Sequence, residues 1–316
     1  MRVLIVGLGV IGTGYGWAFR DYGHEVTHLL RPGRAAQAPR RILIDMLDMR
    51  PGKLGVKTVA YRPVVTEAVA GEDGYDLVMV PVKHYQVGEA LRELTAVLPD
   101  ARYLLFAANW DGLAEVDALL PRSQYVWGYS ASTGGHNGTT LVFNMSPTYR
   151  CGPIDGAEPE WASDVVHLFE TVYVEPDRKR DMREWLWVHF AQAAGTIGAT
   201  LYAGGLPEFY EDQDGLRERM VPAVRECLEV LAARGVDPAA WPDVAPFLTR
   251  PAEEVAAALH GTLTTPWVQR TLSAGHFMEN ADEMRRFYLD VLSTGEALGV
   301  PMPVMQSFRE KVTAGG

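Results

Sequence analysis

Glycines at positions 7, 9 and 12, followed by arginines at 31 and 34, are the residues whose types and spacing first suggest chemistry. Gly7-Leu8-Gly9-Val10-Ile11-Gly12 comes after a mostly apolar run, Arg2 to Val6. A helical stretch to about Tyr22 and a second β-rich run, Glu25 to Leu30, follow it. That is the pattern of a βαβ unit with a dinucleotide fingerprint. Gly7 permits a tight strand-to-helix turn, Gly9 lets a pyrophosphate approach the backbone, and Gly12 lets the helix lie close to the strand. N–H groups at the start of that helix, at Val10 and Ile11, and its positive dipole end then face the phosphates. Glycines at this spacing also occur in ordinary turns, but the strand before and the helix after favour the dinucleotide.

The end of the second strand bears on cofactor type. Sites that prefer NAD usually place an Asp or Glu about 20 residues beyond the glycines, where it accepts from the ribose hydroxyls. Arg31 and Arg34 stand there instead. A guanidinium clamps a 2′-phosphate through charge-assisted bonds worth roughly 1.5–3 kcal/mol, so NADPH/NADP is the expected cofactor. The plain alternative is a pair of solvated loop charges.

The elements that must position these groups read as α/β. YDLVMVPV, Tyr75 to Val82, is a near-continuous apolar run and so a buried parallel strand. Lys83 and His84 follow at its C-terminal end, the edge where ligands sit in open α/β sheets. Lys83 is therefore a candidate to meet the cofactor or an anionic substrate. A helix is expected from Gln86 to Leu98, then a strand from Tyr103 to Ala107 ending at Asn109. The Asn109 amide both donates and accepts, and suits a nicotinamide carboxamide or a substrate carbonyl, although Asn is also a common turn residue. The segment 134–138 reads as a loop or hairpin, and a last β-rich run spans 171–174. Beyond Met182 the pattern is helical: 185–201, 216–234 with Pro222 in its first turns, 252–259, 281–298 and 304–312. The expected division is a Rossmann-type dinucleotide-binding domain over 1–178 and an all-helical domain over 179–316.

Composition narrows the function classes. A net charge of −11 disfavours a sequence-independent nucleic-acid binder. No run of about 18 apolar residues suggests a membrane span, and no signal peptide is read before the first strand. The two cysteines, Cys151 and Cys227, form no CxxC and fit a reducing cytoplasm. No HExxH or Cys/His cluster suggests a metal. His24 and His28 lie where the second strand begins and receive no role.

Taken together, GLGVIG, Arg31, VMVPVKHYQV, LLFAANWDG and the closing ALGVPMPVM resemble the ketopantoate reductase family over nearly the whole chain. The resemblance implies a Rossmann domain, a helical domain and an active site in the cleft between them, with NADPH reducing a 2-oxo acid. It implies that Lys83 lies beside the cofactor and that Asn109 contacts nicotinamide and substrate. Counting back from ALGVP, Glu283 takes the place of the glutamate that binds the substrate hydroxyl, with Glu279 one turn earlier. A homodimer is likewise implied.

The chain departs from the family where the catalytic lysine of a W-x-K pattern should stand. His189 occupies that place in Trp187-Val188-His189, and the two asparagines that follow in the family are not matched. Thr271 and Ser273 are approximate counterparts of the family's substrate-binding serine, and His276 is a second candidate acid. Hydride transfer to a carbonyl needs a proton donor for the developing oxyanion. A histidine whose unperturbed pKa is near 6.5 supplies one, unless His189 only packs on its aromatic-rich helix. Trp110, Trp187 and Trp267 suggest a larger, more apolar pocket than a small hydroxy acid needs. The expectation is an NADPH-dependent reductase of a carbonyl or imine in a small carboxylic acid or specialised metabolite. Ketopantoate reduction itself and a non-catalytic NADPH-binding sensor or partner subunit are the alternatives. Arg31→Ala is expected to weaken NADPH binding and leave NADH nearly untouched in parallel titrations; equal losses would refute the 2′-phosphate assignment.

Overall fold

A computed structural model describes residues 1–271 and 281–314, which divide into two compact units, Met1–Arg183 and Glu184–Gly316. The division falls after residue 178 because β13 (Glu175–Arg178) and the bond from Met182 N–H to the Pro153 carbonyl still belong to the first unit.

In the first unit, β1 (Arg2–Val6) leads into α1 (Val10–Asp21) and β2 (Glu25–Leu29). A hairpin follows, β3 (Ile42–Asp48) and β4 (Gly55–Tyr61), and then the short β5 (Val65–Thr66). The apolar runs predicted for a parallel sheet become β6 (Leu77–Val80), with α2 (Val87–Val97), and β7 (Tyr103–Leu105). After α3 (Ala114–Asp117) the chain forms β8 (Tyr125–Trp127) and β9 (Tyr129–Ser130). All pairings in the main sheet are parallel, in the order β5-β2-β1-β6-β7-β8. Counted along the main sheet alone, this is the 3-2-1-4-5-6 order of the dinucleotide-binding fold.

The step from the second to the third strand of that sheet usually passes through a helix; here it passes through the β3–β4 hairpin. Residues 42, 44, 46 and 48 alternate inward, the period of a strand with one buried face. β3 also pairs in parallel with β11 (Thr140–Met145), which pairs with β10 (Thr133–Asn137), giving a second sheet β10-β11-β3-β4. Gly134 and Gly135 thus lie within β10 and only Gly138 is at the turn. A third sheet joins β9, β12 (Thr148–Cys151) and β13. The β-rich run expected at 171–174 is instead the end of α4 (Ala162–Thr171) and a turn. Val172 and Val174 are apolar because both are buried in the core.

Helix α1 lies against both larger sheets. A Cβ at Gly12 would sit 2.9 Å from Ile5 Cγ2, and one at Gly14 would overlap the Phe143 ring of β11. Tyr15 packs edge-on to Phe106 and Phe169 while its hydroxyl meets Ser132 Oγ at 3.0 Å. The hairpin is fastened to this core by a buried ion pair. Arg50 donates to both Asp48 oxygens at 2.9 and 2.8 Å and to the Val172 carbonyl at 2.8 Å. Its guanidinium lies over Trp17, and Lys57 also meets Asp48.

The second unit is helical. α5 (Met182–Ala203) is apolar on most of its faces and forms the centre. Next come α6 (Leu206–Glu211), α7 (Gln213–Gly215) and a π-helical turn Leu216–Met220 that runs into α8 (Val221–Ala233). Pro222 falls in the first turn of α8, where its missing N–H is tolerated and the wider π turn precedes it. α9 (Ala245–Thr249), α10 (Ala252–Leu263) and α11 (Pro266–Thr271) lead to α12 (Ala281–Leu298) and α13 (Pro303–Ala314). Close packing is made by small residues. A Cβ at Gly195 would sit 2.6 Å from the Val224 backbone nitrogen, and one at Gly198 would sit 2.8 Å from the Tyr288 ring. Glu226 caps α13 by accepting from Val304 and Met305, both at 2.8 Å. This fixes the ALGVPMPVM turn.

Burial by itself would raise the Asp48 pKa, but hydrogen bonds from Arg50 and Lys57 outweigh it and hold the carboxyl below the usual carboxylate range. A depressed folded pKa adds stability that is complete above the unfolded value near 3.9 and is lost as pH falls through the folded one. Asp48→Asn is expected to cost about 3 kcal/mol at pH 7 by stranding Arg50. Urea midpoints measured from pH 7 downward should also fall less steeply for the variant below about pH 4.

Candidate functional site

The C-terminal edge of the main sheet gathers four of the features singled out in the sequence. At the end of β1, Gly7 turns the chain with φ +81 and donates to the Leu29 carbonyl at 2.8 Å. Gly9 is the N-cap of α1, exposed, with nothing within 4 Å of where a Cβ would stand. Val10 and Ile11, both half-buried, open the helix, which has neither a side-chain cap nor an acidic residue in its first turn. The helix N-terminus is thus left for an anion to satisfy.

At the end of β2, Arg31 and Arg34 are both exposed. Arg34 N–H closes a turn on the Arg31 carbonyl at 3.1 Å, and its guanidinium reaches Gln37 Oε1 at 3.0 Å. Lys83 follows β6 and is half-buried, its N–H bonded to Gln86 Oε1 at 3.3 Å. Asn109 follows β7 and makes two bonds to Gly112, donating from Nδ2 at 2.9 Å and accepting at Oδ1 at 3.1 Å. Its amide therefore shapes its own turn. The order along the edge is Arg31, the glycine turn, Lys83, Asn109. With strands about 4.8 Å apart, it spans about 14 Å.

Beneath the glycine turn lies a pair to which the sequence had assigned no role. His28 is fully buried, with Nδ1 2.8 Å from the Gly7 carbonyl oxygen and Nε2 2.7 Å from the Tyr61 hydroxyl of β4. Burial pushes the imidazole pKa down to about 4, only partly offset by the bond to Gly7. The ring is thus neutral near pH 7. A carbonyl oxygen only accepts, so Nδ1 carries the hydrogen and the Tyr61 hydroxyl donates to Nε2. The signal was available in one respect: His28 shares the inward face of β2 with Val26, where a polar residue needs a partner.

In the second unit, His189 lies on α5, half-buried and stacked on Trp185 with ring centroids 5.2 Å apart. Phe190 stacks on Phe287 of α12 at 4.0 Å, so the two helices touch one residue after His189 and one turn after Glu283. Of the three tryptophans expected to line a pocket, Trp110 is buried and Trp187 lies under the Arg234 guanidinium at 3.7 Å. Ser273, His276 and Glu279 lie outside the described residues, and Thr271 ends α11. Among the described residues there is no cluster of three or more metal-ligating side chains, and no helix is long and apolar enough to cross a membrane. Cys151 and Cys227 are buried and free.

Residues 3–154 match the family model for ketopantoate reductase PanE/ApbA. The match to that family covers most of the first unit. A curated relative, the uncharacterized oxidoreductase YkpB of Bacillus subtilis (strain 168), is 23% identical over 246 residues, covering 76% of this chain and 78% of its own. The fold is similar to D-mandelate dehydrogenase in complex with NADH and anilino(oxo)acetate, at TM-score 0.72 and 14% identity over 99% of this chain and 97% of that one. It is similar also to 2-dehydropantoate 2-reductase from Methylococcus capsulatus, at TM-score 0.66 and 20% identity over 98% and 94% of the two chains. A third similar fold is the dimeric ketopantoate reductase from Staphylococcus aureus, at TM-score 0.63 and 11% identity over 99% of each chain.

The glycine turn stands on the His28–Tyr61 pair. His28→Leu leaves the Gly7 carbonyl and the Tyr61 hydroxyl buried without their partner and is expected to lower stability by about 2 kcal/mol. Tyr61→Phe should cost less, and in a double-mutant cycle of urea midpoints the two losses should not add.

Proposed function

We propose that the protein is an NADPH-dependent reductase of a carbonyl or imine group in a small carboxylic acid or specialised metabolite. The observation that carries this reading is the order along one sheet edge: arginines, glycine turn, lysine, asparagine. The residues present fit the cofactor. Gly9 leaves open space where a pyrophosphate would approach, and the start of α1 has no cap of its own. Arg31 and Arg34 would hold the 2′-phosphate at the β2 end of the edge. Lys83 and Asn109 would meet the nicotinamide end, and NADPH, when bound, supplies the hydride.

His189 is the candidate proton donor to the substrate oxygen or nitrogen, and Glu283 the candidate to orient the substrate. Developing negative charge on that atom favours a cationic donor, which a histidine becomes within reach of neutral pH. A homodimer is part of the proposal, in keeping with the Staphylococcus aureus reductase described as dimeric. Reduction of ketopantoate is one form of the activity and larger carbonyl compounds are another.

The test is NADPH oxidation by the purified protein with ketopantoate, other 2-oxo acids, and larger carbonyl and imine compounds. Turnover on at least one of them is expected, and His189→Gln should lower it by about 100-fold without changing NADPH affinity. Tight NADPH binding with no turnover across the panel would move the protein to the non-catalytic class.

A further inference from the structure

One acidic residue at the same sheet edge has no part in the site described so far. Glu67 follows β5, which pairs with β2 through His28↔Val65 and Leu29↔Thr66, so it stands beside the loop that carries Arg31 and Arg34. Its carboxylate accepts the backbone N–H of Ala35, and the neighbouring amides of Gly33 and Arg34 also lie toward it. Three successive amides converge on one side chain. The convergence depends on Gly33 in the left-handed region, φ +79, followed by Arg34 at φ −98 and ψ −20. That alternation turns consecutive N–H groups to one side of the chain. These amides, Ala35's foremost, hold the carboxyl below its usual range.

An acidic residue near the adenosine end ordinarily accepts from ribose hydroxyls. Glu67 is used differently. A carboxylate offers about four lone-pair sites; the Ala35 N–H takes one, and the two amides before it are turned the same way. The loop is closed at its other points as well. Leu30 N–H donates to the Thr66 carbonyl at 2.8 Å, and the Arg34 N–H closes on Arg31 at 3.1 Å. Glu67 is the side chain from outside the loop that bonds to this turn at Ala35.

We infer that Glu67 is a positioning residue that presets the Arg31–Arg34 loop for a 2′-phosphate, and so sets the preference for NADPH over NADH. The inference rests on the NADPH reading above. A loose loop would lose conformational freedom on closing around the phosphate, and a preset backbone removes that cost. NADH has no 2′-phosphate for the arginines to grip, so its binding gains little. The charge on Glu67 opposes the phosphate, but the amides turned toward it offset that charge, and at a half-buried surface site salt screens part of the rest.

The experiment is a fluorescence titration of the full chain with NADPH and with NADH, for the wild type, Glu67→Ala and Glu67→Gln. Glu67→Ala is expected to weaken NADPH by about tenfold and NADH by less than about twofold. Glu67→Gln, whose carboxamide oxygen still accepts, should fall between. In an Arg31→Ala background the Glu67→Ala loss should largely vanish. An unchanged NADPH-to-NADH ratio in Glu67→Ala overturns the inference. Tighter NADPH binding by Glu67→Gln does so too, and would make the carboxylate a repelling charge. A wild type with no preference for NADPH overturns the cofactor reading itself, and that shows before any variant is compared.

Discussion

The first unit depends on how closely helix α1 approaches its neighbours. Gly12, Gly14 and Gly16 face, in turn, Ile5 of β1, Phe143 of β11, and the His28–Tyr61 pair. Three glycines in one helix cost about 1 kcal/mol each relative to alanine, so the helix owes its stability to what it packs against. The main sheet sets the position of its N-terminus and the second sheet holds its flank. A helix gripped in this way keeps its first N–H groups in place at the C-terminal edge of β1, which is where a dinucleotide's phosphates need them.

The same contact explains the buried polar groups nearby. His28 bonds to the Gly7 carbonyl and to Tyr61, which ties the glycine turn, β2 and β4 together. Asp48 and Arg50 anchor the other end of the hairpin below Trp17. Both pairs lie between elements that share no backbone ladder with α1. Removing one member leaves the other buried and unsatisfied, which is the expensive way to lose a hydrogen bond.

Strands β1, β2, β6 and β7 of the main sheet are legible in the sequence because they are either continuous apolar runs, like 77–80, or stand at fixed spacing around a fingerprint. Arg31, Lys83 and Asn109 were legible because each directly follows a strand that could be read. The second sheet was not. Its β3 alternates cleanly, yet its partner β11 is far away in the chain. Helix α4 was missed for a similar reason: its neighbours Val172 and Val174 alternate like a strand while serving the core. Glu67 gave no local signal, since its bonds are to the backbone of a loop some thirty residues earlier. In the helical unit, 281–298 read true to its ends, whereas 216–234 hid a π turn that periodicity does not distinguish from an α-helix.

The parallel pairing of β3 with β11, in which Met46 lies opposite Phe143, bears on how the chain is made. Ribosomes release the N-terminal end first, and non-local pairing must wait for the later segment. Until residues 133–145 have emerged, α1 has no Phe143 against Gly14, and β3 has β4 on one edge and an open ladder on the other. The nascent first unit therefore presents an unpaired strand edge and an apolar helix face through most of its synthesis, the stage at which chaperone capture competes with folding.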